Sequence, residues 1–146
     1  MIRLFLPLVV TCLLVGWTEA LAKDSVVVHV SVTGLRNNNG SCRLLLFGSE
    51  EGFPDSPGDA VAARSARILG RTVSFTVTVK RGTYAVVVLH DENANGEMDK
   101  TWYGKPREGF GTSGSPQSGS GPPEFGESTV LLDEKNDTLT IAVNYL

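Results

Sequence analysis

The stretch Val73-Ser74-Phe75-Thr76-Val77-Thr78-Val79-Lys80, residues 73–80, carries the clearest structural signal in the chain. Apolar side chains occupy every second position, and hydroxyl or lysine side chains occupy the positions between them. Side chains of a β-strand point alternately to opposite faces of its sheet. The pattern therefore predicts a strand with one buried face and one face in water.

Similar patterns on either side of this stretch predict further strands. The apolar run within residues 84–90 favours a central strand that is covered on both faces. Asn39-Gly40 is typical of a β-hairpin turn, and Pro57 favours one or two helical turns up to Ala63. We therefore predict an all-β, antiparallel, Ig-like β-sandwich of about seven strands with one long loop; a closed barrel is the alternative. The other predicted strands are 26–32, 42–47, 128–132 and 138–145.

The N-terminus predicts export. Arg3 precedes a mostly apolar stretch, residues 4–16, and Ala20-Leu21-Ala22 fits the motif at which a signal peptidase cleaves. The stretch is shorter than the roughly 20 apolar residues that span a bilayer. We expect a signal peptide over residues 1–22, a single domain over residues 23–146, and a periplasmic or secreted protein.

Charge and cysteine content narrow the classes of partner. The formal net charge of −3 disfavours binding to nucleic acid or to an anionic membrane. No second apolar stretch is long enough to cross a bilayer after signal cleavage. Because Cys12 leaves with the signal peptide, Cys42 has no partner within the mature chain. Cys42 is interpreted as a buried small hydrophobe, with a reactive thiol or an intermolecular disulfide as the alternative.

Oxygen-bearing side chains alternate along residues 91–99, and Gly96 stands at the sixth position. This spacing is that of the first half of a calcium loop, in which the seventh residue supplies a backbone carbonyl. The twelfth position holds Trp102 rather than the bidentate glutamate of a full EF-hand. The sequence thus predicts either a weak calcium site or an Asx-rich turn without an ion. The predicted ligands are Asp91, Asn93, Asn95, Glu97 and Asp99.

The connection over residues 91–127 is long enough to indicate a functional or flexible segment. Residues 111–123 are nearly all Gly, Ser, Pro and Thr, which favours flexibility. Its large apolar residues are predicted to pack against the sandwich or, with nearby cations, to contact an envelope glycan or protein. The aromatic residues are Trp102, Tyr103, Phe110 and Phe125, and the candidate ligand contacts are Trp102, Tyr103, Lys105, Arg107 and Phe110.

No motif indicates an enzyme of a standard type. Residues 111–115, Gly-Thr-Ser-Gly-Ser, differ from the Gly-x-Ser-x-Gly nucleophile elbow. His29 and His90 are both interpreted as surface or edge residues, and His90 and Asp91 point to opposite faces of an extended strand. The leading interpretation is a non-catalytic binding or accessory module. Its alternatives are a metal-dependent hydrolase using Asp91, Asp99 and His90, and a subunit of a surface assembly.

Six stretches together resemble a known family. They are Val-Thr-Gly-Leu-Arg-Asn-Asn-Asn-Gly (32–40), Leu-Leu-Leu-Phe (44–47), Glu-Gly-Phe-Pro (51–54), Gly-Thr-Tyr-Ala-Val-Val-Val-Leu-His-Asp-Glu-Asn-Ala-Asn-Gly (82–96), Gly-Lys-Pro-Arg-Glu-Gly-Phe-Gly (104–111) and Pro-Pro-Glu-Phe (122–125). This pattern resembles the exported bacterial family catalogued as domain of unknown function 2141. The resemblance implies an exported β protein and assigns no activity. The entry of residues 82–84 into a valine-rich strand is also similar to prealbumin-like sandwich modules, a likeness that concerns fold alone.

Overall fold

The computed structural model describes residues 24–114 and 122–146. The predicted signal peptide and the centre of the Gly/Ser/Pro segment, residues 115–121, lie outside these ranges. Nearly all regular structure is strand. The elements are β1 (Ser25–Thr33), β2 (Ser41–Phe47), β3 (Ala62–Arg67), β4 (Val73–Lys80), β5 (Gly82–Asp91), β6 (Gly109–Thr112), α1 (Phe125–Ser128), β7 (Thr129–Leu132) and β8 (Thr138–Ala142).

The strands form two sheets, which confirms the all-β prediction. The smaller sheet has the order β4-β1-β8, in which β1 runs antiparallel to β4 and parallel to β8. The larger sheet has the order β3-β2-β5-β6, and β7 also pairs with β5. Its pairings are antiparallel throughout. The described strands close no barrel.

The hydrophobic core lies between the two sheets. Val73, Phe75 and Val77 are buried on one face of β4, whereas the residues between them are exposed, as the alternation predicts. Side chains of β1 and β4 meet those of β2 and β5, so each sheet covers the apolar face of the other. The central members of this core are Val28, Val30, Val32, Leu44, Leu46, Phe75, Val77, Val86 and Val88.

The outer face of the larger sheet carries a second apolar cluster. Leu45, Phe47 and Val87 are buried there, beneath Phe53 and Phe125. Phe53 contacts Phe47 and Phe125 edge-to-face, with ring centroids 5.5 and 5.6 Å apart. The central strand β5 is therefore covered on both faces, and Phe125 packs against the sandwich. Both predictions are confirmed.

The hairpin predicted at Asn39-Gly40 is wrong. Gly40 does adopt a positive φ of 63°, but β1 and β2 belong to different sheets and do not pair. The segment instead passes from the smaller sheet to the larger one, and Leu35 within it is buried. The turn packs tightly, since a Cβ at Gly40 would lie 1.9 Å from the carbonyl oxygen of Asp91.

Two strands lie in segments where no strand was predicted. The helical turns expected up to Ala63 are absent there, because Ala62 begins β3 along the edge of β2. β6 occupies the start of the segment predicted to be flexible. Close behind it, Ser113 is buried; its hydroxyl accepts the N–H of Val86 at 2.8 Å and donates to the carbonyl of Ser128 at 2.5 Å.

Cys42 is buried on the core face of β2 and forms no disulfide with any residue that the structure describes. Burial raises the pKa of its thiol to about 12. A thiol with that pKa is a poor nucleophile near neutral pH, since the thiolate is the reactive form. The interpretation of Cys42 as a buried small hydrophobe is confirmed. Within the same ranges, no helix has the length and apolarity needed to cross a membrane.

Candidate functional site

The loop that follows β5 links its five predicted ligands by hydrogen bonds, four of them through their side chains. The side-chain amides of Asn93 and Asn95 both donate to the carboxylate of Asp99, at 2.7 and 3.0 Å. The carboxylate of Asp91 accepts the backbone N–H groups of Asn95 and Gly96, at 3.1 and 2.8 Å. The loop therefore brings together side chains that lie far apart in an extended chain.

Two further hydrogen bonds curl this loop. The side-chain oxygen of Asn93 accepts the N–H of Asn95 at 3.1 Å, and that of Asn95 accepts the N–H of Glu97 at 2.9 Å. Both are Asx turns, in which a side chain takes the place of a backbone acceptor. Glu97 contacts the others only through its backbone N–H; its side chain is exposed.

The donor set is made of hard oxygens. It comprises two carboxylates, from Asp91 and Asp99, and two amides, from Asn93 and Asn95. Within residues 24–114 and 122–146, this loop included, no group of three or more His, Cys, Asp or Glu side chains could hold a metal, so amide and backbone oxygens would have to complete the ligand set. A set of carboxylate and amide oxygens suits calcium or magnesium rather than softer transition metals.

Glu108 joins the two ends of this loop, a role that was not predicted from the sequence. The side chain is buried, with one oxygen accepting the N–H of Glu92 at 2.8 Å and the other accepting the N–H of Asp99 at 3.1 Å. A short hairpin returns the chain to this position: the N–H of Arg107 donates to the carbonyl of Asp99 at 2.8 Å. The only available signal was its place inside the family-like stretch 104–111.

His90 is buried in β5, which has a neighbouring strand on either side, so the prediction that it is a surface or edge residue is wrong. Its Nε2 lies 3.0 Å from the carbonyl of Asn39, which can only accept, so Nε2 carries the proton. Its Nδ1 lies 2.6 Å from the Tyr145 hydroxyl, which also accepts the N–H of Arg36 at 3.0 Å. Both ring nitrogens thus have protein partners, and neither is free to ligate a metal. His29, by contrast, is exposed, as predicted.

The side chain of Glu92 points toward His90 and Tyr145 rather than into the loop. It forms a two-pronged ion pair with Arg36, at 2.6 and 3.0 Å, and the guanidinium of Arg36 lies over the Tyr145 ring, 4.4 Å from its centroid. The Arg36 guanidinium holds the pKa of Glu92 below its ordinary value. Glu92 is therefore a structural residue and not one of the loop ligands.

The predicted ligand contacts fall into two groups. Trp102 and Tyr103 are 95% and 61% exposed, so the prediction that they pack against the sandwich is wrong. They lie at the tip of the hairpin, where the N–H of Gly104 donates to the carbonyl of Thr101, and their rings contact each other at 5.2 Å. Phe110 is buried in β6 as predicted, whereas Lys105 and Arg107 are exposed.

Three of these contacts line a cavity of about 860 Å³ on the outer face of the larger sheet. They are Tyr103, Lys105 and Phe110; Trp102 and Arg107 do not reach it. The wall on one side is formed by Gly96, Glu97 and Met98, the second half of the oxygen-rich loop. The loop, the exposed aromatic pair and the cavity are thus neighbours on one side of the molecule.

A family model described as "Uncharacterized protein conserved in bacteria (DUF2141)" matches residues 30–140 of the chain. The chain belongs to the DUF2141 family. The matched region contains the whole oxygen-rich loop, Glu108 and most of the cavity lining, and it confirms the resemblance found in the sequence. No curated protein and no solved structure is significantly similar to this DUF2141 member.

Proposed function

We propose that this DUF2141 protein is an exported, non-catalytic binding or accessory module. In this proposal, calcium stabilises the loop Asp91–Asp99, and the exposed pair Trp102–Tyr103 contacts a glycan or protein of the cell envelope. The observation that carries the proposal is the 95% exposure of Trp102 at the tip of an ordered hairpin. A signal peptide over residues 1–22 would deliver the module to the periplasm or the medium.

The hairpin supports a contact role because it is held in place before any ligand arrives. The N–H of Thr101 donates to the carbonyl of Lys105 at 2.8 Å, the N–H of Lys105 donates to the Thr101 hydroxyl at 2.9 Å, and Lys100 bridges Pro106. A surface ordered in advance loses less conformational entropy on binding. Exposed aromatic rings with a cation beside them suit the faces of sugars or the apolar side chains of a partner.

We expect Trp102→Ala to weaken binding to isolated envelope material by about 30-fold, since a central tryptophan of an interface typically contributes 2 kcal/mol or more. The measurement is co-sedimentation of purified protein with washed envelope fractions over a concentration series. Leu69→Ala is the matched control, because Leu69 is 85% exposed but belongs to a different loop, between β3 and β4. Equal binding by the unchanged protein and the Trp102 variant would contradict the assignment of this surface.

The loop supports a calcium role through its oxygen set. Asp91, Asn93, Asn95 and Asp99 would supply side-chain oxygens, and Glu97 its backbone carbonyl. Neither Asp91 nor Asp99 forms an ion pair with a cation in the described part of the chain. Bound calcium would neutralise these two carboxylates and fix the ends of the loop relative to each other. With two carboxylates and no bidentate glutamate, the expected dissociation constant is on the order of 10⁻⁴–10⁻³ M.

Calcium at about 1 mM is expected to raise the melting temperature by a few degrees. For a dissociation constant of about 0.1 mM, linkage gives a stabilisation of about 1.4 kcal/mol, which corresponds to that shift for a domain of this size. Asp99→Asn should abolish the rise, and Glu97→Ala, which keeps the backbone carbonyl, should retain it. Melting curves that superimpose in calcium and in chelator would identify the loop as an Asx-rich turn and leave the Trp102 surface untouched.

A further inference from the structure

We propose that the cavity on the outer face of the larger sheet binds an amphiphilic carboxylate, a molecule with an apolar body and one anionic head. The assignment rests on the proposed binding function and deepens it, because it gives a ligand class and a second site beside Trp102. The residues that carry the argument are Arg43 and the apolar floor of the cavity.

The floor of the cavity is an apolar patch. The face of a sheet that is exposed to water would carry polar residues instead. Leu45 of β2, Val87 and Leu89 of β5, and Phe110 of β6 line the cavity from below. Met98 and Pro106 are among the residues that line it from the loops. Its volume of about 860 Å³ falls in the range of about 300–1,000 Å³ that is typical of small-molecule sites.

The side chain of Arg43 lies on this floor and has no partner among the described residues. Arg43 is two residues before Leu45 on the same face of β2 and is partly buried, and its guanidinium forms no hydrogen bond or ion pair with any residue in 24–114 or 122–146. Its guanidinium lies beside the loop wall, since a Cβ at Gly96 would be 3.3 Å from its Nη1. Two other cations line the cavity: Lys100 is already paired with Asp55 at 3.0 Å, and Lys105 is exposed to water.

An unpaired guanidinium above an apolar surface selects for an anion with an apolar body. A carboxylate matches the planar fork of arginine with two parallel hydrogen bonds, and these bonds are stronger where water is excluded. An apolar chain or ring system would at the same time remove the partly exposed side chains of Leu89, Met98 and Pro106 from water. Arg43, Lys100 and Lys105 outnumber the carboxylates of Asp55 and Glu97 around the cavity, which disfavours a cationic ligand.

The test compares decanoate, decanol and decylamine by calorimetry, at concentrations below those at which they form micelles. We expect decanoate to bind at least about tenfold more tightly than decanol, because only decanoate forms charge-assisted hydrogen bonds with Arg43. Arg43→Gln should remove this preference and leave decanol binding unchanged. Arg64→Gln, which removes an arginine from neighbouring β3, should retain the preference.

A second variant keeps the test independent of Arg43. Leu89→Trp adds bulk on the floor and should weaken binding of both decanoate and decanol. Four results would each overturn the proposal: tightest binding by decylamine, equal binding of decanoate and decanol, an unchanged preference in Arg43→Gln, or binding of none of the three. Trp102→Ala should bind decanoate normally, so loss of envelope binding with intact decanoate binding would separate failure of the hairpin surface from failure of the cavity.

Discussion

Replacing Phe75 by alanine is expected to lower the free energy of unfolding by about 3–5 kcal/mol. Phe75 lies at the centre of β4, opposite Val30 of β1, and only 6% of its surface is exposed. Removing the ring forfeits its transfer out of water and leaves a cavity between two sheets. Neither sheet is free to close that cavity, because each is held by its own ladder of hydrogen bonds. Chemical denaturation followed by circular dichroism measures the loss.

Thr78→Ala is the matched control for this prediction. Thr78 lies three residues further along the same strand but on its solvent-facing side, where truncation removes little buried surface. Its expected cost is below about 0.5 kcal/mol. If the two variants lost similar stability, the face of β4 that packs against the larger sheet would be assigned incorrectly.

Strands that bury one face could be predicted from the sequence because burial imposes a period of two. This holds for β4, where valine and phenylalanine alternate with threonine and serine, and for β1, where four valines share the core face. It fails for β3, an edge strand of sequence Ala-Ala-Arg-Ser-Ala-Arg, in which only Ala62 is buried. β6 was not predicted for a different reason: it contains Gly109 and Gly111, which have no side chains, so an alternating pattern is not visible.

Pairing between strands was less predictable than the strands themselves. Asn39-Gly40 does form a turn, but the turn lies in the segment that connects β1 of one sheet with β2 of the other. Leu35, in the same segment, is buried in the core. Turn chemistry is local, whereas the choice of partner strand depends on all the apolar faces that must be covered. The parallel pairing of β1 with β8, for example, joins residues about 109 apart in the chain, as in His29 opposite Thr138.

The same distinction, between local features and those that depend on distant residues, applies to the candidate site. The convergence of Asp91, Asn93, Asn95 and Asp99 follows from spacing within nine residues and could be predicted. The burial of His90 could not, since its partners Asn39 and Tyr145 lie more than 50 residues away in sequence. Likewise, nothing near Arg43 in the sequence indicates that loops from distant parts of the chain enclose an apolar cavity around it.

Replacing Glu108 by alanine is expected to lower the free energy of unfolding by about 2–4 kcal/mol. Its carboxylate is 5% exposed and accepts the N–H groups of Glu92 and Asp99, the residues at the two ends of the oxygen-rich loop. Each buried donor that loses its acceptor costs about 1–3 kcal/mol, and water entering from the loop side reduces the total. Denaturant melts measure the loss, and amide exchange at residues 92 and 99 should accelerate at the same time.

The glutamine variant separates the hydrogen bonds from the volume of the side chain. Glu108→Gln nearly preserves shape but offers one acceptor and one N–H₂ group, which would face a backbone donor at either Glu92 or Asp99. We therefore expect a stability between those of the unchanged protein and Glu108→Ala, together with a smaller stabilisation by calcium, since the loop ends would be held less firmly. Glu50→Ala, at an exposed glutamate far from the loop in sequence, should change neither quantity. If Glu108→Gln melted like the unchanged protein and kept the full response to calcium, Glu108 would be a packing residue and the loop would be shaped by its own Asx turns alone.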